Sequence, residues 1–117
     1  MNVKRGDVVL VDFPFPHGGS KMRPAVVVQN DADNGRLLNT IVAQITGNVQ
    51  RASEPTQVLI DVATSEGKQS GLQFDSAVNC VNLVTLDKNN VLRRIGRLPD
   101  PIMKKVNDAL KAALGIP

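Results

Sequence analysis

The sequence has no tryptophan, no tyrosine and only three phenylalanines, Phe13, Phe15 and Phe74. That disfavours a nucleic-acid binder built on stacked aromatic platforms. Any RNA bound by such a chain must be held by arginines, backbone groups and amides. A single cysteine, Cys80, cannot form an internal disulfide, and one histidine, His17, cannot build a Cys/His metal cluster. No apolar run approaches the ~20 residues of a membrane-spanning helix. The start, Met1 to Asp7, carries Lys4 and Arg5, but its apolar run is short and broken by Asp12, unlike a secretory leader. The expected setting is the cytoplasm, with no membrane partner, metal or cofactor.

What is present is an ordinary globular balance: 117 residues, 42% apolar and 21% charged. A chain of that length buries roughly two-thirds of its unfolded surface and forms a core unaided. One domain over residues 1–117 is expected. Fourteen Lys and Arg against eleven Asp and Glu give a net charge of +3, a weak pointer to a polyanionic partner. Solvated surface charge explains that number equally well.

Val8-Val9-Leu10-Val11 reads as a buried strand. From Pro14 to Arg23, two prolines and two glycines predict a mobile loop. A second strand is predicted from Pro24 to Gln29, with proline at its first position. Asp31 to Gly35 reads as a turn cluster, and Leu38 to Ile45 as a third strand ending at Thr46-Gly47-Asn48. Thr56 to Val62 alternates as a fourth strand. Gly67 and Gly71 bracket a loop. Ser76 to Leu86 is β-rich, with Val78, Cys80 and Val84 on one side of a period-two pattern. Asp87 to Asn90 is a turn, and Val91 to Leu98 fits a last strand or a short helix.

The C-terminal element is the clearest. Asp100 suits an N-cap, Pro101 the first helical position and Gly115 the stop. Ile102, Val106, Ala109, Leu110, Ala113 and Leu114 share one helical face. Short, turn-punctuated strands followed by one helix predict a mainly β fold, a small, strongly curved sheet or barrel.

Three places invite a chemical reading. Arg23 stands between the Gly-rich stretch and the next strand, where a permanently charged fork suits a phosphate. A strand-edge arginine paired with a carboxylate fits that spacing better. Thr46-Gly47-Asn48 offers a hydroxyl, a flexible backbone and an amide to a sugar-phosphate; in isolation a side-chain-stabilised turn is the better reading. Cys80 sits in an apolar alternation and reads as packing. Gly18-Gly19-Ser20-Lys21 is not a phosphate-binding P-loop, and no nucleophile elbow is present.

Four blocks, in this order and spacing, are similar to a known family. They are Arg5-Gly6-Asp7-Val8-Val9, Arg23-Pro24-Ala25-Val26-Val27-Val28-Gln29-Asn30-Asp31, Ile45-Thr46-Gly47-Asn48, and Arg94-Ile95-Gly96-Arg97-Leu98 with the helix after it. Over nearly its whole length the chain resembles the MazF/PemK ribonuclease toxins of type II toxin-antitoxin systems. The resemblance implies an SH3-like barrel with a C-terminal helix, a homodimer and a neutralising antitoxin, with DNA met only through that antitoxin. It implies metal-independent cleavage of single-stranded RNA: the ribose 2′-OH attacks the adjacent phosphate, giving a 2′,3′-cyclic phosphate and a 5′-OH. By the family pattern Arg23 stabilises the phosphoryl charge and Thr46 orients the phosphate or ribose. His17, Gly18, Gly19, Ser20, Lys21, Gly47, Asn48, Asn79 and Asn82 are the expected RNA contacts.

One departure stands out. Many relatives carry an acid where this chain has Val81, and arginine where it has Val84. The general base is therefore open, with His17 and Asp75 as substitutes by residue type. Two other functions compete. A CcdB-like toxin that binds gyrase without catalysis would use a C-terminal tryptophan, and this chain has none. A degenerate member would only bind RNA or its antitoxin.

Overall fold

The computed structural model describes residues 1–117. The strands are β1 (Asp7–Pro14), β2 (Ser20–Val27), β3 (Asn39–Thr46), β4 (Gln57–Ile60), β5 (Ser76–Asp87) and β6 (Val91–Arg97). The helices are α1 (Asp31–Arg36), α2 (Ser65–Lys68) and α3 (Asp100–Leu114), with a 3-10 turn at Lys88–Asn90. All strand pairs are antiparallel, in the order β4-β5-β3-β2-β1-β6. The expected mainly β fold with a C-terminal helix is thus present, as a sheet left open between β4 and β6. Extents of 32 × 31 × 30 Å require it to coil rather than lie flat.

Both faces are buried. On one, Val8, Val26, Ala43, Ile45, Val78 and Leu98 pack against Ile102, Met103 and Val106 of α3. On the other, Val9, Val11, Phe13, Ala25, Val27, Val42 and Leu86 pack together inside the curve. Strands buried on both faces read as continuous apolar runs, which is why β1 is Val-Val-Leu-Val at its centre.

Several expectations change. The loop predicted from Pro14 to Arg23 shrinks to Phe15–Gly19. Ser20 to Arg23 instead belong to β2, paired with β1 through Pro14↔Ser20, Phe13↔Lys21 and Val11↔Arg23. Left-handed Gly18 and Gly19, at φ of 94° and 76°, close this hairpin tightly enough for both strands to continue to its tip. Asp31 to Gly35 is not a turn but most of α1. Asn30 caps it by accepting from the Asp33 N–H at 2.9 Å, and Asp31 and Asp33 suit its first turn. Residues 91–97 are strand. The cap residue of α3 is Pro99, so Asp100 lies inside the helix and makes no capping bond. Gly115 ends the helix in the left-handed conformation, as expected.

The largest surprise lies in β5. Asn79 pairs with Gln44, but Leu83 pairs with the next β3 residue, Ala43. Cys80, Val81 and Asn82 are therefore an insertion of three residues. An odd insertion exchanges the faces. Val78 and Cys80 join the α3 side, whereas Val84 packs inside the curve, so the three do not share one side. No helix is long and apolar enough to cross a membrane.

Candidate active site

Arg23 reaches its place through β2. The β2–β3 ladder runs from Val27↔Val42 through Val26↔Ala43 to Ala25↔Gln44 and stops there, leaving Arg23 two residues beyond it on β2 and Thr46 two residues beyond it on β3. Both residues belong to the inner face, with Ala25 and Val27 on β2 and Val42 and Gln44 on β3. The Arg23 guanidinium has no carboxylate partner; the chain's ion pairs are Arg36–Asp33 and Arg94–Asp7. Its Nε is buried and has no hydrogen-bond partner. The strand-edge ion pair weighed from the sequence is therefore not formed. A buried, unpaired donor on a cation costs upwards of about 1–3 kcal/mol. Such an orphan is tolerated where a ligand supplies the acceptor.

Thr46 ends β3. Its Oγ1 accepts from the Asn48 N–H at 3.1 Å, and Asn48 Oδ1 accepts from the Gln50 N–H at 3.1 Å. These two turns leave the Thr46 hydroxyl proton free to donate. Beyond them opens a polar cleft of about 600 Å³, lined by Thr46, Asn48, Gln44, Asn79 and Val81 from the sheet. Its other wall is the β3–β4 loop and the start of β4: Gln50, Arg51, Glu54, Pro55, Thr56 and Gln57.

Amide pairs hold the floor. Gln57 Nε2 donates to Asn79 Oδ1 at 2.8 Å, which also accepts from the Val81 N–H at 3.1 Å. Asn82 Nδ2 donates to Gln44 Oε1 at 2.9 Å. Cys80 anchors the insertion: its N–H donates to the Thr56 carbonyl at 3.0 Å, and burial pushes its thiol up to about 11.

The structure brings together Thr46, Asn48 and Asn79 in the cleft, with Gly47 between the first two and Asn82 bonded to its floor, whereas Arg23 on β2 lies outside the cleft lining. His17, Gly18, Gly19, Ser20 and Lys21 lie at the β1–β2 hairpin tip, exposed and outside the cleft lining. Asp75 also lies outside it, and its Oδ1 accepts from the Val62 N–H at 3.0 Å. No three His, Cys, Asp or Glu side chains converge as metal ligands. Sequence reasoning missed Gln44, Gln57 and the loop residues Gln50, Arg51, Glu54 and Thr56.

A model of the PemK-like, MazF-like toxins of type II toxin-antitoxin systems matches residues 4–114. The chain belongs to that family. Among the MazF-like proteins, it is 39% identical over 118 residues to the endoribonuclease EndoA of Bacillus subtilis (strain 168), covering 99% of this chain and 97% of that one. It is 37% identical over 116 residues to an endoribonuclease MazF of Staphylococcus saprophyticus, covering 97% and 92%. A mycobacterial endoribonuclease solved in complex with its cognate antitoxin superposes with a TM-score of 0.80 at 28% identity, covering 98% and 97% of the two chains. This MazF-like chain therefore matches its relatives along nearly their whole length.

Proposed function

We propose that residues 1–117 form one toxin domain, an endoribonuclease that cuts single-stranded RNA in this cleft without a metal ion. The observation that carries the reading is the buried, unpartnered Arg23 Nε, on the strand whose ladder with β3 ends two residues short of both Arg23 and Thr46. A phosphodiester placed between them receives a charged donor and a neutral one. As the 2′-OH attacks, negative charge grows on the phosphoryl oxygens, and preorganised donors stabilise that charge more than the ground state. The products are a 2′,3′-cyclic phosphate and a 5′-OH. DNA, lacking the 2′-OH, is not cut.

The relatives named endoribonuclease support RNA as substrate, and the relative solved with its antitoxin supports a cognate antitoxin as partner. A homodimer acting in the cytoplasm completes the proposal, with DNA engaged only through the antitoxin. The test is incubation of total RNA with purified protein, with and without EDTA. Cleavage that survives chelation, with cyclic-phosphate ends, is expected. Cleavage abolished by EDTA and restored by magnesium overturns the metal-free mechanism.

A further inference from the structure

Transesterification of RNA needs a group to take the 2′-OH proton, and the cleft restricts the choice sharply. Its lining side chains are hydroxyls, carboxamides, a proline, Val81, Arg51 and Glu54. Carboxamides and alcohols do not accept a proton near neutral pH, and a guanidinium cannot release one to become an acceptor. Val81, 68% exposed in the same cleft, is inert. Glu54 is the only carboxylate in the lining.

The loop holds Glu54 in place. Its N–H donates to the Arg51 carbonyl at 2.9 Å, and its own carbonyl accepts from the Gln57 N–H at 3.0 Å. Pro55 restricts the backbone of the residue before it. A backbone fixed on both sides holds Glu54 in the loop wall of the cleft that Thr46 also lines. Arg51, on the same loop, offsets the repulsion between that carboxylate and a phosphodiester.

We propose, on the ribonuclease reading above, that Glu54 is the proton acceptor of the reaction. The Glu54 carboxylate takes the 2′-OH proton as the 2′-oxygen bonds to phosphorus. The bond from phosphorus to the 5′-oxygen breaks, and that oxygen takes a proton from a solvent water. Glu54 then gives its proton to the hydroxide left behind, so the protein returns to its starting state.

The charged groups facing Glu54 are few. Arg51 shares its loop, and Arg23 stands on β2. Lys105 and Asp108 of α3 line the adjoining groove with Ala52 and Pro55. Asp108 is itself a carboxylate, so the loss of an acid limb in E54Q, and not the position of that limb, is what reports Glu54.

The experiment is single-turnover cleavage by the full chain from pH 4 to 9, for wild type, E54Q and E54D. Binding of a 2′-O-methyl RNA that cannot react is followed in parallel. E54Q should lose about 10²–10⁴-fold in rate, as removal of a general base does. It should also lose the acid limb and bind the methylated RNA at least as tightly, since a negative charge has gone. E54D should keep the limb at a lower plateau. An E54Q rate within threefold of wild type with an unchanged profile overturns the assignment. So does an equal loss in binding, which would make Glu54 a binding residue. Folded wild-type protein that cleaves no RNA overturns the ribonuclease reading itself and the proton role with it.

Discussion

Replacing Thr46 by valine separates the chemistry of the cleft from its architecture. Valine keeps the branched shape that suits the end of β3 and removes only the hydroxyl. The fold loses one hydrogen bond, from the Asn48 N–H at 3.1 Å, in an exposed turn where water can replace the acceptor. That cost is below about 1 kcal/mol, a fall in Tm of roughly 4 °C or less. The reaction loses a donor aimed at the phosphoryl group. Removing one such donor typically costs 10²–10³-fold in rate, or ~2.7–4 kcal/mol of transition-state stabilisation. The two figures differ enough to be told apart. Single-turnover cleavage of an RNA with a mapped site gives the first, and a thermal melt gives the second. A variant that melts as predicted but cleaves within threefold of wild type would refute a transition-state role for Thr46. A Tm drop well beyond the predicted range would show that the hydroxyl holds the turn instead.

Arg23→Ala should abolish cleavage while leaving Tm unchanged or higher, because the buried Nε it removes has no partner in the free protein. Arg23→Lys should restore little activity, since a point charge does not reproduce the guanidinium fork; full activity in either variant would sink the phosphate-clamp reading. Cys80 predicts an alkaline weakness. Its thiol is raised from 9.0 to about 11 by burial, so above pH 9 the unfolded chain loses that proton first and stability falls as pH rises towards 11. Chemical denaturation at pH 8 and pH 10.5 should show the fall in wild type and a smaller one in Cys80→Ala.

The elements that stood out in the sequence are those whose local chemistry agrees with their packing. Helix α3 carries its apolar face, its early proline and its terminal glycine together, and β1 is a run of β-branched residues. The β1–β2 hairpin did not stand out, because Pro14, Gly18 and Gly19 are loop formers everywhere except at a tight reversal. Helix α1 hid behind Asp31, Asp33 and an Asn-Gly step, all turn-prone until Asn30 caps them. The family resemblance supplied Arg23 and Thr46 as a pair. The β2–β3 ladder ends at Ala25 and Gln44, two residues short of both. The loop wall with Arg51 and Glu54 has no periodicity and no motif, and its membership of the cleft is a tertiary fact. Nothing in Asn79 to Leu83 announces three residues without partners on β3.

That insertion sets what this protein can change during evolution. Val81 projects into the cleft from a segment whose neighbour Cys80 is tied to the Thr56 carbonyl, and it bears no part of the core. Exchanging its side chain is structurally nearly free, so substrate preference can drift there without refolding. Length is another matter. Gaining or losing one residue between Asn79 and Leu83 would turn Val84 and Leu86 outward and drive polar Thr85 into the interior. A saturation library across this stretch should accept many amino acids and almost no indels.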